Sequence, residues 1–246
     1  MTATVAPQAN TSSHPRARWR AVRFLPWVAA GALLTVVIGW GLWFTIAWFR
    51  YGHPAATGAS DPVLDRFMPF YEVAERHEIR VATRAAITYE AARSFDLERA
   101  GVVHAIFAGR HLLLSHTNPP RPHLTLGDLQ AIGWGLLAER PGHEHVVGAI
   151  TQPSRRDVQF RPLAPAAFAA FDSAGYVKIA WTLAVDSLGP AESRFRTETR
   201  ALTTDGPSRA RFRRYWAFFS PGILLIRWQA IRLLRAEAER RFRAVP

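Results

Sequence analysis

The sequence predicts an α+β domain, an antiparallel sheet curled around a long C-terminal helix, placed behind one apolar N-terminal helix. Three observations predict it. Phe24–Phe49 runs without a charged side chain. Tyr176–Asp186 and Glu192–Thr204 alternate with a period of two on either side of a Gly189-Pro190 turn. From Ser208 onward, apolar residues recur at helical spacing. The 246-residue chain leaves enough sequence after the apolar run for one domain rather than two.

The apolar run meets the requirement for a bilayer-spanning helix, about 20 residues rising roughly 1.5 Å each across a core near 30 Å. Arg16, Arg18, Arg20 and Arg23 precede it with no acidic residue, whereas Arg50 and Arg66 follow with Asp61 and Asp65. Basic residues beside a membrane segment favour the cytoplasmic side. The bias predicts a single-pass protein of a bacterial inner membrane, N-terminus cytoplasmic and domain extracytoplasmic. Trp27, Trp40, Trp43 and Trp48 suit headgroup depth, and Pro26 falls in the first turn, where its missing N–H costs nothing. Gly31, Gly39 and Gly41 do not form the spaced dimer motif, so no oligomeric state is specified. The competing reading is a signal peptide cleaved near Ala55, Ala56, Gly58 and Ala59, but the apolar run far exceeds an h-region of about 7–15 residues. A buried core helix would need apolar cover on every side. The expected organisation is a disordered basic tail over 1–23, a transmembrane helix over 24–49, a linker over 50–76 and a domain over 77–240.

The formal net charge is +12, almost all from arginine, with Lys178 the only lysine. The arginines are scattered and no recognition motif accompanies them, so nucleic acid is not the expected partner. A basic surface beside anionic lipid headgroups is the simpler account. The absence of cysteine excludes a disulfide framework, thiolate metal sites and a cysteine nucleophile.

Along the chain, 50–76 reads as a linker on Gly52, Pro54, Gly58, Pro62 and Pro69, ending in the apolar Phe67–Tyr71. His77, Ile79, Val81, Thr83 and Ala85 then share one face of a strand, and Glu78, Arg80, Ala82 and Arg84 the other. Thr88–Phe95 and Glu98–Phe107 read as one or two helices, and Pro119, Pro120 and Pro122 mark a loop. Strands follow at Trp134–Glu139 and His145–Thr151 around an Arg140–Glu144 turn, with a third at Val158–Leu163 and a small helix at Pro165–Phe171. In Glu192–Thr204 the charged Glu192, Arg194, Arg196, Glu198 and Arg200 point one way, and Phe195, Thr197, Thr199 and Ala201 the other. That pattern predicts a sheet with one wet face and one covered face. The cover is the helical stripe of Phe212, Trp216, Phe219, Ile223, Ile226, Ala230 and Leu234, which Ser220-Pro221-Gly222 is expected to kink or break.

This order resembles the helix-grip fold of the SRPBCC superfamily, which includes StAR-related lipid-transfer domains and polyketide cyclases. The features that carry it are Ile79–Ala85 followed by Tyr89–Phe95, the paired strands Tyr176–Asp186 and Glu192–Thr204, and the Arg211–Leu234 helix. The chain looks like a membrane-anchored, uncharacterised bacterial member. The resemblance implies a cavity for an apolar ligand, with Trp181, Phe195, Trp216 and Phe219 giving apolar contact and Thr197 and Thr199 giving hydroxyls. The same residues would equally line a filled core. The Gly109–Leu129 stretch departs from the pattern, as a lid or a surface loop.

Motifs for chemistry are sparse. His143 and His145 lie two apart but at a turn without a third ligand, so no metal is expected. There is no phosphate loop, nucleophile elbow or zinc-protease helix, and no cofactor is implied. Asp96 and Glu98 suit helix capping. A cyclase would need ionisable groups in the cavity, yet the inward faces read as apolar and threonine, with His77 at one end; this points away from an enzyme. The expected function is membrane-tethered binding or transfer of a lipid or other hydrophobic small molecule. The alternative is a non-enzymatic structural or interaction domain docking on a membrane protein or anionic lipid, and a cyclase-like enzyme ranks third.

Overall fold

The computed structural model describes residues 16–51, 55–56, 61–96, 125–153 and 159–244, and the chain divides into two compact units, Met1–Phe44 and Thr45–Pro246. The first unit is occupied by α1, whose helix runs from Arg16 to Arg50. It starts upstream of the expected boundary, so Arg16–Arg23 is helix rather than tail, and Pro26 lies inside the helix rather than in its first turn. Arginine and alanine are good helix formers, which lets the helix begin before the proline. Trp27, Leu33, Leu34, Val36 and Leu42 are exposed on it. Two helices among the described residues, α1 and the C-terminal one, are long and apolar enough to cross a membrane.

The second unit is an α+β fold in which a five-stranded antiparallel sheet wraps a long C-terminal helix. A short pair, β1 (Ala55–Ala56) and β2 (Phe70–Tyr71), and the single turn α2 (Pro62–Asp65) precede the sheet. The sheet comprises β3 (Val73–Val81), β4 (Gly135–Arg140), β5 (Glu144–Thr151), β6 (Val177–Gly189) and β7 (Glu192–Thr203), in the order β3-β7-β6-β5-β4. Around it lie α3 (Ala85–Arg93), a 3₁₀ turn at Leu126–Ile132, α4 (Pro165–Ala170) and α5 (Gly206–Arg243). The stretch read as a linker thus contains α2, β2 and the first residues of β3. Asp61 caps α2 by accepting from the N–H of Val63 and Leu64, and Pro62 opens it. The third expected strand at Val158–Leu163 is reduced, among the described residues, to a single bridge between Arg161 and Ile150. The Glu98–Phe107 helix and most of Gly109–Leu129 fall outside the described residues.

Helix α5 begins at the Asp205 cap, whose carboxylate accepts the Ser208 N–H at 2.7 Å. It continues through Pro221 without the expected break. Trp216 and Ala217 before the proline, and Ile231 and Leu234 after it, are buried. Packing on both sides outweighs one lost backbone hydrogen bond.

The two faces of the sheet also differ from expectation. Odd-numbered residues of β6 and β7 face α5, as the alternation requires. The charged face, however, is only partly wet: α2, α4 and Phe67–Met68 cover it with a second core of Leu64, Met68, Val146, Ile150, Phe168 and Ala180. Gly148 permits this cover, since a Cβ there would sit 2.6 Å from Leu137 Cδ1 and 3.0 Å from Phe168 Cε2. Glu198 and Arg200 are buried, and Arg200 donates to Glu198 at 2.7 Å, Asp65 at 2.6 Å and the Met68 carbonyl at 2.9 Å. Alternation reports which face a side chain takes, not what later folds over it.

Candidate functional site

Strand register sets the floor of the site as cross-strand rows. One row is Glu75, Thr199, Trp181 and Val147; the next is His77, Thr197, Leu183 and His145. Helix α5 lies across them, and between helix and sheet is a partly open cavity of about 340 Å³. Its floor includes Ile179, Trp181, Leu183, Phe195, Thr197, Thr199 and Ala201, and α5 adds Phe212, Trp216, Ile223, Ile226, Arg227 and Ala230. Phe95, just past α3, and Trp134, just before β4, also line it.

Five of the six residues expected from sequence, Trp181, Phe195, Thr197, Thr199 and Trp216, line this cavity. Phe219 is not one of its lining residues; it stacks on Tyr215 at 4.8 Å and meets Phe218 edge-on at 5.0 Å. The threonine hydroxyls are engaged with the protein instead of being left for a ligand. Thr197 Oγ1 accepts from Trp181 Nε1 at 2.6 Å and donates to the Thr182 carbonyl at 2.9 Å, which fixes the indole against the sheet. Thr199 Oγ1 accepts from Arg227 Nη2. Thr197 reaches the indole of Trp181 diagonally across the neighbouring strand, and Thr199 meets Arg227 across the space between sheet and α5.

The inward face, read as apolar and threonine with His77 at one end, also carries an arginine and a glutamate. Arg227 lines the cavity, its Nη1 buried without a hydrogen-bond partner. Burial pulls its guanidinium down to about 10, opposed by the Glu75 carboxylate, and it stays charged at neutral pH. Glu75 is itself engaged, accepting from Tyr51 Oη at 2.5 Å, and burial followed by that carboxylate pushes Tyr51 up to about 12. His77 Nε2 is buried and unpartnered, and burial, then Arg227, holds the imidazole below its ordinary value. The sequence signal for Arg227 was present: it stands four residues from both Ile223 and Ile231, inside the apolar stripe. Glu75 belongs to β3, which begins at Val73, four residues before the His77 at which the alternation in sequence delimits the strand.

A second polar group sits on the second row. Glu139 Oε1 accepts from Arg93 Nη1 at 2.5 Å and from Tyr89 Oη at 3.4 Å, and lies 3.5 Å from His145 Nδ1. His145 is buried, and burial, then Arg93, depresses its proton affinity. His143 lies in the exposed turn before β5, so the two histidines do not share a strand. Tyr89, Glu139 and His145 are not lining residues of the cavity. No group of three or more His, Cys, Asp or Glu among the described residues is placed to hold a metal ion.

No family model and no curated protein matches the chain. Among solved structures, it is similar to the Zhui aromatase/cyclase of Streptomyces sp. R1128 at 16% identity, covering 69% of this chain and 94% of that one, TM-score 0.28. It is similar to a hypothetical protein of Helicobacter pylori at 10% identity, covering 75% and 98%, TM-score 0.35. A START superfamily protein of Mycobacterium smegmatis matches at 11% identity, covering 70% and 99%, TM-score 0.24. At these scores the likenesses carry no argument about activity; the fold description rests on the strand order and the long helix described above.

Proposed function

We propose that the chain is a membrane-tethered module that holds a lipid or other hydrophobic small molecule between sheet and helix. The cavity carries this reading. Protein interiors normally leave few voids larger than a water molecule. A partly open space of about 340 Å³ between sheet and helix is far larger than such voids. Such a space, walled by aromatic and aliphatic side chains, is of the size that ligand pockets take. The exposed apolar α1 supports the tether, in a bacterial inner membrane with the domain on the extracytoplasmic side. The test is uptake of a neutral fluorescent apolar probe by the full chain in zwitterionic nanodiscs. Saturable uptake by the wild type that Ala230→Leu abolishes supports the reading; equal uptake by both, or none by the wild type, overturns it.

A second reading has its own observation. The outer face of α5 exposes Phe218, Leu225 and Trp228, and the Arg232 guanidinium lies 3.7 Å over the Trp228 ring. An apolar stripe with arginines beside it is the pattern of a helix lying on an anionic lipid surface. Because the chain has no cysteine, a polarity-sensitive label on Leu225→Cys reports on this face alone. A shift to an apolar environment in anionic nanodiscs, reversed by high salt, favours surface docking; an unchanged spectrum opposes it.

A further inference from the structure

Resting on the cavity reading above, the geometry points to a more specific ligand: an amphiphile with a carboxylate head, its apolar body in the cavity and its head on Arg227. Apart from the Thr197 and Thr199 hydroxyls and the indole N–H of Trp216, unpartnered among the described residues, the cavity wall is apolar. The guanidinium of Arg227 is then the charge on it that decides which end of a ligand faces which way. Nη2 of Arg227 is engaged by Thr199, whereas Nη1 is buried and has no partner among the described residues. The nearest carboxylate acting on it, Glu75, is engaged by Tyr51 at 2.5 Å and forms no ion pair with Arg227. His77 Nε2, on the strand position next but one to Glu75, is also buried and unpartnered.

A buried cation without a bonded anion is expensive, and a structure keeps one only where something else supplies the missing acceptor. Glu75 is near enough to favour the charge but not to satisfy the free N–H groups. A ligand carboxylate would accept from Nη1 in a charge-assisted hydrogen bond and gain strength from the low dielectric around it. A neutral alcohol would make a weaker bond, and a cationic head would meet repulsion.

The experiment uses the full chain in zwitterionic nanodiscs loaded with 1-aminoanthracene, with protein-free nanodiscs subtracted. Dodecanoate, dodecanol and dodecyltrimethylammonium, which share one alkyl tail, are compared as displacers. Dodecanoate is expected to displace the probe at roughly tenfold lower concentration than dodecanol, as a charge-assisted hydrogen bond implies. Dodecyltrimethylammonium should be the weakest. In Arg227→Met the probe should still bind, with dodecanoate and dodecanol equally effective. Equal potency on the wild type, or a preference that survives Arg227→Met, overturns the carboxylate site while leaving the cavity reading intact. Absence of probe binding by the wild type overturns both. The head-group ranking on the wild type decides the matter even if the variant fails to fold.

Discussion

Two arginines on opposite faces of the same sheet, Arg200 fully buried and Arg227 half-buried, show how differently the fold treats one residue type. Arg200, on the outer face of β7, has no exposed surface and meets Glu198, Asp65 and the Met68 carbonyl, with the Tyr71 ring 4.9 Å from its guanidinium. Its remaining Nη2 has no hydrogen-bond partner, but two carboxylates balance the charge. Arg227, on the inner face of α5, has one threonine and, among the described residues, no ion pair. The first arginine closes a packed face, and the second opens on to an unfilled one. Each keeps one terminal nitrogen without a hydrogen-bond partner, so the difference between them is the counter-ion: two bonded carboxylates at Arg200 and none at Arg227 among the described residues.

The largest expected effect comes from breaking that contrast. Arg200→Met strands Asp65 and Glu198 and should lower stability by about 3–5 kcal/mol, the usual consequence of removing one partner of a buried pair. Arg227→Met removes a charge that has no bonded counter-ion and should leave stability unchanged or slightly raised. Denaturant titration of the two variants of the full chain checks this, and equal losses would refute the comparison.

Packing offers the next test. Gly148→Ala pushes a methyl against Leu137 and Phe168 on the filled face and should cost about 1–3 kcal/mol. Ala230→Leu adds more volume but into the cavity, so its melting temperature should hold or rise. Thermal unfolding of both variants sharpens the contrast between faces, and a large loss in Ala230→Leu would mean the space is not there to fill.

A smaller change is expected from Thr197→Val, which releases the Trp181 indole. Its loss should be about 1 kcal/mol, with a red-shifted and less anisotropic tryptophan emission as the ring gains freedom. A mutant spectrum identical to wild type would show that the hydroxyl does not position the ring.

The smallest expected effect is on pH dependence. Burial holds both His77 and His145 below their ordinary value, so the unfolded chain takes up these protons first as pH falls. Stability contributed by the neutral imidazoles is complete above the unfolded value near 6.5 and declines from there toward the lower folded values. The melting temperature should drop between pH 7 and 5, less steeply in His145→Gln. A flat profile over that window would contradict the buried, neutral assignment.

Much of the inner face was legible because alternation is a local property. Trp181 with Leu183, and Phe195 with Thr197, share a face whatever surrounds them. Other features were not legible for physical reasons. Phe219 occupies the apolar stripe of α5 yet turns to Tyr215, since a stripe broad enough to cover a sheet is wider than the cavity beneath it. Glu198 and Arg200 read as solvated because no local rule announces that Leu64 and Met68, some 130 positions earlier, fold over them. The pairing of Thr199 with Arg227 joins a strand to a helix, and each looked ordinary alone.

The sequence by itself determined the apolar N-terminal helix, the antiparallel strand pair and the long amphipathic C-terminal helix, because hydrophobic periodicity and length fix these within a few residues of chain. Only the tertiary structure decided that Pro221 leaves the helix unbroken, that the charged face is roofed, and that a space remains between helix and sheet with one cation turned into it. Those outcomes depend on how distant surfaces meet, on the volume left when they do, and on which polar groups find partners there.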